Sequence, residues 1–160
     1  MNTITQSFTF HATKIKKNVI LVFMKNDFLK HWRVVRYYIK RKYGLTQPDL
    51  DILLFLYSEG RFTRKIFKAY EGVVNWEPKR FKRLQEEGWI IVWRKSHGRS
   101  FSIYELSHQA KHIVSKAYKI LNGEEEIPDS IRRNPLLRKG AKYSDKVHRN
   151  IIDQIQNGEL

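Results

Sequence analysis

The chain has 160 residues, 41% of them hydrophobic and 13% aromatic, which is too apolar for a disordered polymer and enough for one compact core with short appendages. Its 31 Lys and Arg against 16 Asp and Glu give a formal net charge of +15, a field that places nucleic acid or an acidic membrane surface at the head of the partner list. Cysteine is absent, which excludes disulfides, thiolate metal sites and cysteine nucleophiles and suits a reducing, cytoplasmic setting.

The N-terminal stretch 3–12 alternates Ile4, Phe8 and Phe10 with Thr residues, and Val19 to Phe23 is a β-branched run; both predict short strands forming an arm over 1–25. The longest apolar run, Val19 to Met24, falls far short of the ~20 residues that span a bilayer, so no signal peptide or membrane anchor is expected. Asn26 or Asp27 then caps a helix whose apolar stripe is Phe28, Trp32, Val35 and Ile39, with basic residues on its other faces and a stop at Gly44.

Thr46 followed by Asp49 resembles a capping box with a shortened acid, and Pro48 suits a first turn; the helix they open runs to about Tyr57 and buries Leu50, Leu53, Leu54 and Tyr57. A break at 58–60 precedes a short helix capped by Thr63 and ended at Gly72. Asn75 or Glu77 starts the next helix, 76–87, with Phe81 and Leu84 inward, Lys79, Arg80, Lys82 and Arg83 outward, and a stop at Gly88. Trp89 to Trp93 and Phe101 to Tyr104 read as two strands of a hairpin whose tip carries Arg94, Lys95, His97 and Arg99.

Ser107 caps a further helix containing Ala110, Ile113, Val114, Ala117 and Leu121, and Glu124 to Glu126 with Pro128 reads as a linker. Beyond it, the segment from Arg132 to Arg149 holds seven basic residues against Asp145 alone. A last helix from about Ser144 puts Val147, Ile151, Ile152 and Ile155 on one face.

The order helix, helix, short helix, helix, hairpin, helix predicts a mainly α fold with a small β-hairpin wing: a winged helix-turn-helix over 26–123, flanked by the β arm 1–25 and a basic tail 124–160 with a terminal amphipathic helix. Four pieces, LTQPDLDILLFLY, RLQEEGWI, WIIVWRKSHGRSFSIYEL and LSHQAKHI, make residues 26–121 resemble the MarR-type transcriptional regulators. The resemblance implies gene regulation and an obligate dimer formed by the helices at 26–43, 107–121 and 144–156. Its interface residues here would be Phe28, Trp32, Val35, Ile39, Ile151 and Ile155.

The expected DNA contacts are Asn75, Trp76, Lys79, Arg80, Lys82 and Arg83 on the recognition helix and Arg94, Lys95, His97 and Arg99 on the wing. A basic run is usually only a solvated face; its position in the motif and the net charge favour DNA here. Glu77 is assigned to helix capping. Trp76, Trp89 and Trp93 would suit stacking on unpaired bases, but periodicity places Trp89 and Trp93 near the core.

His108 and His112 stand at i, i+4 with Gln109 where a metalloprotease has Glu, and no third ligand is fixed, so no metal is expected. With no phosphate-cradling glycine loop and no nucleophile elbow, neither an enzyme nor a cofactor is expected. The leading expectation is a homodimer bound to double-stranded DNA. The alternative is an assembly module using the winged helix as a scaffold, with residues 1–25 and 129–160 reaching into other protein subunits; a regulator with a small aromatic ligand between its dimer helices is a third.

Overall fold

The first helix, α1 (Phe28–Tyr43), turns Val34, Val35, Tyr38 and Ile39 into the core and leaves its first residues, Phe28 and Leu29, exposed. The computed structural model describes residues 28–69 and 77–157, so the expected arm 1–25 and the candidate DNA contacts Asn75 and Trp76 lie outside the described residues. Helix α2 (Gln47–Glu59) opens on the expected capping box: Thr46 Oγ1 accepts from Asp49 N at 3.4 Å, and the Asp49 carboxylate accepts from Thr46 N at 3.0 Å. Its buried face is Leu50, Ile52, Leu53 and Leu56, a wider arc than expected because both α5 (His108–Leu121) and the sheet pack on it. Tyr57, expected inside, is exposed and meets the ring of Tyr118 at the surface, with centroids 6.1 Å apart.

Gly60, at φ +69° and ψ −99°, makes a turn that side-chain-bearing residues rarely adopt and leads into a strand the sequence reading omits, β1 (Arg61–Phe62). Two residues are too few for a periodic signal; the pairing is what defines it. Short helix α3 (Arg64–Ala69) and helix α4 (Pro78–Glu86) follow, the latter burying Phe81 and Leu84 as expected. At the end of α4, Gly88 takes φ +77° and lets Trp89 N reach back to Leu84 O at 2.8 Å, a 6→1 bond that stops the helix and starts the hairpin.

Strands β2 (Ile90–Arg94) and β3 (Ile103–Leu106) pair antiparallel with Ile90 opposite Leu106 and Val92 opposite Tyr104, and β1 joins the other side of β3, giving the order β1–β3–β2. Trp93 corrects the expectation that it lies near the core. The register slips between Val92 and Arg94, a bulge that turns Trp93 outward, where it is 43% exposed; Trp89 is buried and donates from Nε1 to Glu87 at 3.0 Å. Past Ile90 strand β2 is exposed on both its faces, while β3 keeps Tyr104 and Leu106 buried. Ser107 then caps α5, its Oγ accepting from Ala110 N at 3.2 Å. Helices α1 to α5 with this hairpin form a winged helix-turn-helix.

The segment 124–157 is not an appendage on that fold. Ile127, Leu136 and Ile152 lie in the same buried cluster as Val35, Leu53 and Ile113. A 3-10 turn at Pro135–Leu137 and helix α6 (Tyr143–Gln156) pack on α1. Asn134 shapes the approach, accepting from Leu136 N and donating to Pro128 O, both at 3.0 Å. Glu125, expected in a solvated linker, is ion-paired with Lys116 of α5.

The anchor of α6 is Asp145, which is fully buried. Its carboxylate accepts from Arg41 Nη2 at 2.7 Å and Nε at 2.9 Å, from the Tyr37 hydroxyl at 2.7 Å and from Lys142 N at 3.0 Å. Beside it the rings of Tyr37 and His148 stack at 3.6 Å, within 9° of parallel.

This packing takes Val35 and Ile39 out of the expected dimer interface. Val35 and Ile39 are buried inside the protomer, and Trp32, Ile151 and Ile155 are half-buried against the same core, so these side chains already have partners within one chain.

Candidate nucleic-acid interface

Helix α4, the one expected to read DNA, starts at Pro78, and its N-cap, Glu77, makes no side-chain capping bond. The capping role expected for Glu77 is therefore corrected: its carboxylate lies 3.6 Å from Arg80 Nη2, one turn on. Of the four basic residues expected to point outward, Lys79 and Lys82 do so; Lys82 is 77% exposed and only loosely paired with Glu86 at 3.7 Å.

Arg80 and Arg83 are placed differently. The Arg80 side chain is 15% exposed and its Nη1 lies 3.4 Å from Asp49 Oδ1; Arg83, 44% exposed, is bonded to the same oxygen and approaches Glu87 at 3.5 Å. A helix with Phe81 and Leu84 inward has to place i−1 and i+2 at the margin of the buried face, which is where the N-terminus of α2 meets it. Asp49 thus joins the cap of α2 to two arginines of α4. Burial alone would raise its carboxyl, but the bonds from Thr46 and the charges of Arg83 and Arg80 outweigh it and hold the group below the ordinary carboxylate range.

On the wing, Arg94, Lys95, His97 and Arg99 are all exposed. The tip is shaped by its own polar groups: Ser100 N donates to His97 O at 3.0 Å, His97 N to Ser100 Oγ at 3.0 Å, and Ser96 N to Ser102 Oγ at 3.0 Å, with Gly98 at φ +57°. These bonds order the loop while leaving its cations unpaired among the described residues.

Three cations absent from the expected contacts lie beside the wing, all on the short run 61–65. Arg61 sits 3.9 Å above the ring of Trp93, Lys65 sits 4.2 Å above Phe101, and Arg64 lies 5.0 Å from the ring centroid of Phe81 and 5.7 Å from that of Tyr104. Their spacing at i, i+3 and i+4 was visible in the sequence; that they face the wing depends on the β1–β3 pairing.

His108 and His112 are exposed on α5, and no cluster of His, Asp or Glu among the described residues is placed to hold a metal. No helix among the described residues is long and apolar enough to cross a membrane.

No family model and no curated protein matches the chain. Among solved structures it is similar to reduced AbfR bound to DNA, at 14% identity over 98% of each chain with a TM-score of 0.42. It is similar also to the disulfide-formed AbfR, at 14% identity over 93% of each chain with a TM-score of 0.43. The winged-helix assignment rests on the element order and the sheet register of this chain.

Proposed function

We propose that the chain binds double-stranded DNA as a transcriptional regulator of the MarR type, with α4 in the major groove and the wing tip on the backbone. The observation that carries this reading is the exposed, ordered set of cations on the two parts of a winged helix that meet a duplex: Lys79 and Lys82 on α4, and Arg94, Lys95, His97 (when protonated) and Arg99 on the wing. Arg80 and Arg83 hold α4 in place rather than read bases.

The test is duplex binding measured by fluorescence anisotropy at several salt concentrations. The logarithm of affinity should fall linearly with the logarithm of salt, with a slope of about −0.9 per phosphate neutralised. Lys79→Gln with Lys82→Gln should lower that slope by about 1 to 2. Binding that ignores salt would reject the reading.

The regulator acts as a homodimer in this reading. Because Val35 and Ile39 are buried in the protomer, the contact falls on the exposed start of α1 at Phe28 and Leu29. Sedimentation equilibrium at micromolar concentration should give a dimer that Phe28→Asp with Leu29→Asp converts to monomer; a wild-type monomer would remove this part.

A further inference from the structure

Between α3 and the wing lies an open cleft of about 700 Å³, lined by Thr63, Arg64 and Lys65 on one side and by Ser96, Ser100, Phe101, Ser102 and Tyr104 on the other. Among the described residues no carboxylate lines it. Its two cations and neighbouring Arg61 have no carboxylate partner among the described residues, in contrast to Lys82 of α4, which has one, and to Arg80 and Arg83, which have two each.

The manner in which these cations are held matters. A carboxylate fixes an arginine and cancels its charge; an aromatic face fixes the cation and leaves the charge to act on its surroundings. Arg61 on Trp93 and Lys65 on Phe101 are held in the second way, and Arg64, beside Phe81 and Tyr104, donates to Gln85 Oε1 at 3.5 Å, a neutral acceptor that also leaves its charge intact. A hydroxyl donor completes the cleft: Ser102 Oγ accepts from Ser96 N and keeps its own hydrogen to donate, whereas the Ser100 hydroxyl donates to His97 O at 2.8 Å. Ordered, uncancelled positive charge with a hydroxyl donor is the chemistry that binds a phosphodiester oxyanion.

We propose that the strip Arg61–Arg64–Lys65 and the cleft beside it seat backbone phosphates of the bound duplex, next to the wing and apart from the base-facing side of α4. This deepens the duplex-binding reading and rests on it. The seat reads no sequence, so it contributes affinity that is alike on unrelated duplexes.

The experiment compares wild type, the triple variant Arg61→Gln, Arg64→Gln, Lys65→Gln, and the single variant Lys65→Gln on two unrelated duplexes and one single strand, each over a salt series. Circular dichroism and thermal melting establish that the variants fold; the single variant changes an exposed side chain and serves if the triple does not. The triple variant should lower the salt slope by about 2 to 3, and Lys65→Gln by about 1, equally on both duplexes.

If wild type binds duplex but both folded variants keep its slope, the seat is wrong while the duplex reading stands. If wild type binds no duplex, the duplex reading fails and takes the seat with it. Tighter binding to the single strand, lost in Trp93→Ala, would also overturn the seat, because the rings would then be stacking on bases.

Discussion

Asp49→Ala should lower stability by about 3 kcal/mol, the lower part of the range for breaking a buried ion pair, because Arg83 retains access to water while Arg80 has little. One side chain closes the capping box of α2, accepts from Thr46 N, and neutralises two arginines of α4; removing it leaves the Thr46 donor and the Arg80 guanidinium without that acceptor. For a domain of this size the loss corresponds to a fall in melting temperature of roughly 6 to 12 °C. Asp49→Asn retains the shape and loses the charge, so it should fall between. If both variants melt with wild type, the linkage between α2 and α4 contributes nothing.

The same residue predicts an acid limit. A carboxyl held below its ordinary value in the folded state stabilises that state at pH values above the unfolded value of about 4, and the contribution disappears as pH falls through the folded value. Wild type and Asp49→Asn should therefore begin to converge in stability as pH falls below about 4 and meet once it passes the folded value. Under conditions where Asp49→Asn stays folded, the freed charges of Arg80 and Arg83 should steepen the salt dependence of DNA binding by about 1. Stability and DNA affinity then move in opposite directions, which a general loss of structure would not produce.

The elements that were legible in the sequence are those with local signals. The box at Thr46 and Asp49, the Ser107 cap, the stops at Gly44 and Gly88 and the inward pair Phe81 and Leu84 each act within a few residues, and each is found where its chemistry places it. Strand β1 and the outward turn of Trp93 were not legible, since one depends on pairing across more than forty residues with β3 and the other on a bulge in the pairing of β2 with β3.

The candidate interface divides in the same way. Exposure of Lys79, Lys82 and the wing-tip cations follows from local position, whereas the withdrawal of Arg80 and the pairing of the still exposed Arg83 depend on a carboxylate thirty-one and thirty-four residues earlier in the chain. A basic run counted as four contacts thus supplies two outward lysines and two arginines that brace the motif. The cations at 61–65 show the converse: what lifts them from a solvated face to an ordered strip is the set of rings opposite them, which no spacing rule identifies.

Asp145→Ala should cost a further large amount, about 3 kcal/mol, and its effect should concentrate at α6. The sequence reads this aspartate as the one acid among seven basic residues between Arg132 and Arg149; the fold makes it the group that fastens α6 to α1. Burial raises its carboxyl, while bonds from Arg41, Tyr37 and Lys142 N and the Arg41 charge more than offset this and hold it below the usual range. With the carboxylate gone, the Tyr37 hydroxyl keeps Ser144 at 2.8 Å, but Arg41, whose side chain is 39% exposed, is left to water and Lys142 N loses its acceptor. Because α6 contributes Ile152 to the common core, loosening it uncovers apolar surface on α1 as well as the helix itself. Hydrogen exchange should show faster exchange across 143–156 and along α1, with α4 and the wing less affected, together with a lower melting temperature. Unchanged protection of 143–156 in this variant would mean that the apolar contacts alone hold α6 in place.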